Sequence, residues 1–252
     1  MNSTVQLTLV AAVIFLTHYQ QGITGFGCTM LSLPFITLLL GLETAVPMLI
    51  MMGWLVALLI VIESRRHIVW REFAWIVIPV AVTMPIGIWL AKVLPGKELK
   101  VALATFAVIV GIEGLIKQYR QARPQREVTT KSRLLSGLFL PLGGLQQGAF
   151  GAGGPLVIIY ATRVISDKTL FRVTLCMLWT ALNPILIGLR MHSGEVLTPH
   201  IWKWTAFCLP FGLVGVWLGN RAHYRADIVV FRKLVYSVLI MSGLVLAWSV
   251  LH

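Results

Sequence analysis

Apolar stretches long enough to cross a lipid bilayer fill most of this sequence. Five of them run for 15 to 19 residues without a charged side chain, as 73–91 and 173–189 do. At a rise of about 1.5 Å per residue, a helix of that length roughly matches a hydrocarbon core of about 30 Å. Hydrophobic residues make up 58% of the chain, a larger share than soluble domains carry. The sequence therefore predicts an all-α polytopic membrane protein.

The apolar stretches form eight segments, which we label A to H in chain order. They are A (about 5–40), B (44–62), C (73–91), D (101–116), E (134–162), F (173–189), G (about 204–218) and H (234–251). The most polar part of the chain, 117–133, lies between D and E and holds six basic residues. We therefore predict a first transmembrane repeat (1–119), a basic cytoplasmic linker (120–133) and a second transmembrane repeat (134–252).

Two copies of one pattern, Q-Q-G-x-x-G-x-G, indicate that the halves are duplicates. The first copy is QQGITGFG (20–27) and the second is QQGAFGAG (146–153), an offset of 126 residues. Further along, GIWL (87–90) matches GVWL (215–218), and Gly114-Leu115 matches Gly243-Leu244. Matches in the same order with a slowly drifting offset are typical of a duplicated unit with small insertions.

Basic residues in the loops predict how each half faces the membrane. If segment E crosses once, alternate loops carry 10 and 11 basic residues, which gives no bias. If E enters and returns to the same side, the loops at 63–72, 117–133, 163–172 and 219–233 share one face. That face then carries 16 basic residues and the other face carries 5, a clear positive-inside signal.

Segment E is therefore predicted to be a re-entrant helical hairpin that turns in or near 148–154. Segment A is predicted to be similar because of the repeat, although the loop charges do not test it. Each half then has three transmembrane helices plus a glycine-broken hairpin, and the odd number of crossings makes the two repeats inverted in topology. Hairpin A enters from outside and hairpin E from the cytoplasm, so their tips meet near the midplane. Secondary transporters often have this plan.

Several other classes of protein are excluded or disfavoured. The net charge of +12 is better explained by basic loops that fix orientation than by nucleic-acid binding. The three cysteines lie in apolar segments at no metal-ligand spacing, and no catalytic triad, P-loop or other enzyme motif is recognisable. We predict no enzyme activity, no cofactor and no metal site.

Two stretches resemble the motifs of a transporter family. In the first half, GFGCTMLSLPFITLLLGL (25–42) is similar to the first motif of the TauE/SafE sulfite-exporter-like permeases. In the second half, GAFGAGGPLVIIY (148–160) and FRVTL (171–175) resemble the second motif, with its Gly-Gly-Pro and Arg-x-Thr. The resemblance in segment order covers nearly the whole chain. It implies a transporter of sulfur-containing oxyanions or small organic acids, and this substrate class rests on the resemblance alone.

The two breaks are the candidate substrate site. The helices that leave them are expected to begin near Cys28 and Pro155, and a helix N-terminus presents free N–H groups and a positive dipole to an anion. Glycines allow a ligand to approach the backbone, and glutamine amides donate hydrogen bonds without charge. The predicted substrate-binding residues are Gln20, Gln21, Gly22, Thr24, Gly25, Gly27, Gln146, Gln147, Gly148, Gly151, Gly153, Arg172 and Asn183.

Each of these residues also has a structural interpretation. Small residues in membrane helices often serve close packing, and glutamines can hydrogen-bond between helices. Asn183-Pro184 interrupts segment F, so Asn183 either lines the pathway or belongs to a proline kink. Arg172, at the start of F beside the cytoplasmic end of E, is either a positive-inside anchor or a site that receives an anion.

Two further polar residues are candidates for ion coupling. His18 lies just before the first break and either carries a coupling proton or is a hydrogen-bonded structural histidine. Glu113 interrupts segment D one turn before Lys117, so it either forms an i, i+4 ion pair or takes part in proton coupling.

The leading hypothesis is a secondary transporter for small anions, namely sulfur oxyanions or organosulfonates, which works by alternating access in the inner membrane. Its partners are a small anionic substrate and the lipid bilayer; proton or sodium coupling and a homo-oligomer are compatible with it. The alternatives are an anion channel of the same architecture and a membrane scaffold that transports nothing.

Overall fold

The computed structural model describes residues 3–93, 130–192, 194, 197–225 and 227–251, with eight helical positions between 101 and 116. Within these ranges the chain forms helices and no strand, as the sequence predicted. The ten long or medium helices are α1 (Ser3–Thr24), α2 (Cys28–Leu40), α3 (Leu42–Ser64), α4 (Trp70–Val93), α5 (Thr130–Gly137), α6 (Phe139–Phe150), α7 (Gly154–Val164), α8 (Lys168–His192), α9 (Pro199–Arg225) and α10 (Ile228–Leu251). A short 3₁₀ turn, Arg65–His67, follows α3.

Four of the described helices are long and apolar enough to cross a membrane: α3 with its 3₁₀ turn, α4, α8 and α9. They contain the predicted segments B, C, F and G, and segment H lies within α10. The helices have 23 to 27 residues, whereas the apolar segments have 15 to 19, because each helix continues into the polar residues at its ends. In segment D the structure describes the eight helical positions, whereas Glu113 and the linker as far as residue 129 lie outside the described residues.

Segments A and E are each broken at their glycine cluster. Segment A forms α1 and α2, separated at 25–27, and segment E forms the end of α5 followed by α6 and α7, which are separated at 151–153. In each pair the second helix folds back along the first. Gln6 Nε2 at the start of α1 donates to Leu39 O at the end of α2 over 2.6 Å, and a Cβ on Gly143 of α6 would lie 3.1 Å from Val157 of α7.

The structure adds detail at two helix boundaries. Asn183-Pro184 does not interrupt segment F, because α8 runs unbroken from Lys168 to His192. A proline removes one backbone hydrogen bond, whereas a break within lipid exposes several, so continuing the helix costs less. The last residues of the predicted linker, from Thr130, already belong to α5.

The chain divides into two compact units. One consists of residues 1–68 and 172–225, and the other of 69–171 and 226–252. Each unit therefore contains helices from both sequence repeats. The core of the first unit joins α1, α2, α3 and α9 through buried apolar side chains, which include Val10, Ile14, Ile36, Met48, Met52 and Cys208.

The same close helix crossing occurs in both units. In the first unit, Gly215 of α9 lies against α1, where a Cβ would be 2.6 Å from Phe15 O and 3.0 Å from Tyr19 N. In the second unit, Gly87 of α4 lies against the carbonyl of Leu145 on α6. Tyr19 and Leu145 occupy the same place in the two repeats, directly before Gln-Gln. Small residues allow backbones to approach this closely, so the glycine of the repeated GxWL motif packs against the helix before the break in both units.

The second hairpin is also fixed by a polar cluster at one end of α7. The buried carboxylate of Glu72 on α4 accepts hydrogen bonds from the Tyr160 hydroxyl at 2.8 Å and from Arg133 of α5 at 2.5 Å. Arg133 Nε also donates to the Tyr160 oxygen at 3.2 Å. A buried carboxylate needs partners of this kind, so the cluster joins α4, α5 and α7 at one point.

Candidate functional site

The first break ends α1 with two glycines in the left-handed region of the backbone. Gly25 has φ +83° and Gly27 has φ +93°, and α2 begins at Cys28 as the sequence predicted. The carbonyl of Gly25, which no helix can satisfy, accepts a hydrogen bond from the Trp179 indole at 3.0 Å. Residues with a Cβ rarely adopt such φ values, so the glycines are required here by backbone geometry.

Gln20 and Thr24 hold this break together. Gln20 Nε2 donates to Thr24 Oγ1 at 2.5 Å and to the carbonyl of Phe26 at 2.9 Å. The amide oxygens of both glutamines are unpaired. Gln21 is 2% exposed, and neither its Oε1 nor that of Gln20 has a hydrogen-bond partner among the described residues. An unpaired buried polar atom is costly, so both amide oxygens of the first copy remain available for a ligand.

The second break has its own internal hydrogen bond. Chain reversal occurs at Gly151, with φ +66°, and α7 begins at Gly154 with Pro155 in its first turn, within one residue of the prediction. Gln147 Oε1 accepts from the N–H of Gly153 at 2.6 Å. The first break has no such bond at the equivalent glutamine. The two copies therefore agree in sequence and in helix boundaries but differ in hydrogen bonding.

Gln146, the other glutamine of the second copy, does not make a bond of this kind through its Oε1. Gln146 is 2% exposed, and its Oε1 has no partner within the described part of the chain. Gly148 lies inside α6, where it packs against the backbone of Met84 on α4, as Gly22 packs inside α1 against Val216 of α9. The first glycine of each pattern is therefore a helix-packing residue.

Arg172 has a different place from the one predicted. It lies in the second turn of α8 and is completely buried, so it is not an exposed anchor at a membrane face. Its contacts are with the first break rather than with segment E. Nη1 donates to Gly22 O at 2.8 Å and to Asn220 Oδ1 at 2.7 Å, and Gly25 lies directly on its backbone.

The guanidinium of Arg172 is only partly satisfied. Nη1 uses both of its hydrogens, whereas Nε and Nη2 have no partner among the described residues. Neither acceptor at Nη1 carries a negative charge. The Nε–Nη2 side presents two parallel N–H groups, the arrangement that binds two oxygens of one oxyanion. The structure therefore leaves this edge of a buried cation without a counterion.

One face of α8 follows the first break. Arg172, Cys176, Trp179 and Asn183 recur at spacings of four, three and four residues, which puts them on the same side of the helix. Trp179 bonds Gly25, and Asn183 Nδ2 lies 3.5 Å from Ile50 O on α3. This spacing was visible in the sequence and could have associated Trp179 with the site.

The start of α2 lies beside Asn183. A Cβ placed on Gly53 of α3 would be 3.5 Å from Thr29 Oγ1, 3.7 Å from Asn183 Nδ2 and 3.7 Å from Cys28 Sγ. Gly53 therefore leaves space between α3, the first turn of α2 and the Asn183 amide. No side chain caps this helix N-terminus. Gly53 and Thr29 were not predicted as site residues, because the contact depends on how α3 packs.

The end of α9 supplies two more residues that the sequence did not reveal. His223 is buried, and its Nδ1 lies 2.8 Å from the carbonyl of Ile23, so it donates to the end of α1. Arg172 donates to the preceding carbonyl, Gly22 O. Two basic side chains thus cap carbonyls in the last turn of α1, where positive charge is favourable. Tyr224 also places its ring 5.5 Å from Arg172 Cζ.

His18, the predicted coupling residue, is completely buried in the same unit. Its Nδ1 lies 2.8 Å from Ile14 O, and because a carbonyl only accepts, Nδ1 carries a proton. Nε2 has no partner among the described residues. Either protonation state of Nε2 therefore lacks a protein partner. No group of three or more metal-ligating side chains is found in the described part of the chain.

The structure brings together one half of the predicted site. Gln21, Gly25, Gly27, Arg172 and Asn183 all lie in the first unit, whereas the residues of the second copy lie in the other unit.

A family model, described as sulfite exporter TauE/SafE, matches residues 10–246. The chain belongs to the TauE/SafE family. It is similar to the probable inner membrane transporter protein TsaS of Comamonas testosteroni, with 28% identity over 179 residues, which cover 71% of this chain and 72% of that protein. No solved structure matches. The predicted TauE/SafE membership is confirmed, and the chain is a multi-pass membrane transporter of the inner membrane.

Proposed function

We propose that this TauE/SafE protein is a secondary transporter of small oxyanions, sulfur oxyanions or organosulfonates, and that it works by alternating access. The observation that carries the proposal is Arg172, a fully buried cation whose Nε–Nη2 edge has no partner among the described residues. A charged residue within a membrane protein is costly and usually marks a substrate or ion pathway. The substrate anion is the counterion that this edge requires.

The chemistry of the edge favours oxyanions over spherical anions. Two parallel N–H groups match two oxygens of a sulfonate, sulfite or carboxylate group, whereas a halide offers one centre. The sulfur in the proposal comes from the description of the family, sulfite exporter. The guanidinium alone accepts sulfur and carbon oxyanions equally well.

The other predicted residues contribute to the proposed substrate site in different ways. Gln21 lies one residue before Gly22, whose carbonyl holds Arg172, and its unpaired amide oxygen is available to an oxyanion only through water or a protonated oxygen. The uncapped start of α2, which lies beside Asn183, offers further N–H donors on the same unit. In the second copy, Gln146 and the backbone of Gly151 and Gly153 are proposed to serve the substrate in the same way.

Coupling to an ion gradient is proposed to involve His18. A proton on Nε2 would add a positive charge to the unit that holds Arg172, and a transported anion would offset that charge. The sodium gradient is the other candidate, and uptake measured with each gradient in turn distinguishes the two.

The first test is uptake into proteoliposomes with a panel of sulfite, thiosulfate, methanesulfonate and acetate. Arg172→Lys keeps the charge but removes the two-pronged edge. Because a charge-assisted hydrogen bond contributes about 1.5–3 kcal/mol, we expect the KM of the transported anion to rise about ten- to a hundredfold. The matched control is Arg221→Lys, since Arg221 is exposed and stacks on Trp217. Unchanged KM in Arg172→Lys contradicts the proposed site.

The same assay separates the proposal from its alternatives. A carrier gives uptake that saturates with substrate and responds to an imposed proton or sodium gradient, whereas a channel gives currents that follow the voltage. A membrane scaffold moves none of the panel. If no anion of the panel is taken up by the unmodified protein, the oxyanion function is wrong.

A further inference from the structure

A chain of hydrogen bonds connects Arg172 to a carboxylate through a single amide. Arg172 Nη1 donates to Asn220 Oδ1 at 2.7 Å, and Asn220 Nδ2 donates to both carboxylate oxygens of Glu63, at 3.2 and 3.1 Å. Arginine only donates and an ionised carboxylate only accepts, so one orientation of the amide satisfies both neighbours. Glu63 therefore determines that the amide oxygen faces Arg172.

We propose that Asn220 is the positioning residue of the substrate site. Its neutral amide holds the guanidinium by Nη1 and stands between Arg172 and the Glu63 carboxylate. The charge of Arg172 and its Nε–Nη2 edge consequently stay available to the substrate. This inference rests on the proposed oxyanion function and identifies Asn220 as the residue that keeps Arg172 free to bind the substrate.

The hydrogen bonds that restrain the guanidinium are both at Nη1, away from the free edge. Both Nη1 hydrogens are used, one by Asn220 and one by the carbonyl of Gly22, and the Tyr224 ring lies 5.5 Å from Cζ. A binding group held in one orientation loses less rotamer entropy when the ligand arrives. Asn220 thus fixes where the Nε–Nη2 edge points.

Glu63 is the competitor that the amide keeps away. It lies at the end of α3 as an exposed carboxylate, and within the described part of the chain the Asn220 side chain links it to Arg172. A carboxylate in direct contact with Nη1 would neutralise the charge of Arg172 and so weaken its attraction for a substrate oxyanion. The other titratable side chains around Arg172 are Cys176 on its own helix and His223 and Tyr224 on α9, and among these neighbours Glu63 is the one with a carboxylate.

The test is an epistasis experiment with Asn220→Ala, Glu63→Gln and the double variant, measured as methanesulfonate or sulfite uptake into proteoliposomes. Asn220→Ala removes the separating amide, so Glu63 pairs with Arg172 and we expect KM to rise at least about tenfold. Glu63→Gln alone retains an acceptor for Asn220 Nδ2 and should keep KM within about twofold. The double variant should recover most of the affinity, because the competing carboxylate is gone.

A merely structural Asn220 gives a different pattern, since removing Glu63 cannot repair a packing defect. If Asn220→Ala does not fold, Asn220→Asp keeps the shape of the side chain and places a carboxylate on Nη1. We expect that variant to raise KM whether Glu63 is present or replaced. Unchanged KM in these Asn220 variants, or no recovery in Asn220→Ala/Glu63→Gln, overturns the inference. Absence of uptake by the unmodified protein instead refutes the oxyanion function itself.

Discussion

Gln21 and Gln147 occupy the same position in the repeated pattern and yet differ in their hydrogen bonds. Gln147 Oε1 accepts from the N–H of Gly153, which closes the second break, whereas the buried Oε1 of Gln21 has no partner among the described residues. A side chain that satisfies a backbone group stabilises the fold, and one that leaves its own oxygen unpaired costs stability. Within one motif, Gln147 therefore has a structural role and Gln21 has a candidate binding role.

We predict different effects of an alanine substitution at these two positions. Gln147→Ala leaves the Gly153 N–H without this acceptor and should lower the free energy of unfolding by about 1–3 kcal/mol. Gln21→Ala should leave the melting temperature nearly unchanged and alter the KM for the transported oxyanion. Thermal unfolding in detergent, together with uptake, measures both quantities. Equal losses of melting temperature in the two variants would show that Gln21 is structural as well.

At the scale of helices, the contact that recurs is the crossing of each broken segment with a GxWL helix. Gly215 of α9 meets the backbone of α1, and Gly87 of α4 meets the backbone of α6. Neither neighbour is the end of a flexible side chain, so neither can move aside cheaply. These crossings hold α1 and α6, the helices that precede the breaks, against α9 and α4.

Alanine at either crossing glycine should therefore separate the two helices. We predict that Gly215→Ala and Gly87→Ala each lower the free energy of unfolding by about 1–3 kcal/mol. Both variants should therefore show a lower melting temperature in detergent and a smaller amount of folded protein. Gly53→Ala is the matched control, because its nearest neighbours would be 3.5 Å or more from the new Cβ. A control variant as unstable as the crossing variants would contradict this explanation.

The helix boundaries show what the sequence could predict. The breaks at 25–27 and 151–153 follow from glycines that take positive φ, a local property, and both were located correctly. The burial of Arg172 was not predicted, because counting loop charges treats an arginine at a segment boundary as solvent-exposed. Its partners Gly22 and Asn220 are 150 and 48 residues away, and only tertiary packing brings them together.

At the scale of the whole molecule, the inverted arrangement of the repeats remains a prediction from loop charges. It places 117–133 in the cytoplasm and the loop around Lys97 on the opposite face. The three native cysteines are buried, so they give little background in a labelling experiment. In intact cells, Lys97→Cys should react with a membrane-impermeant maleimide, and Gln121→Cys should react only after permeabilisation. Labelling of both positions in intact cells would refute the proposed orientation.

The division into compact units has a consequence for biosynthesis. The unit that contains the first break also needs residues 172–225, so α1 cannot meet α9 until most of the chain has been translated. The first repeat thus enters the bilayer before Gly22 and Gly87 have met the helices of the second repeat against which they pack. A gene cut in the linker should yield two fragments that are degraded when made separately and that recover function when they are made together.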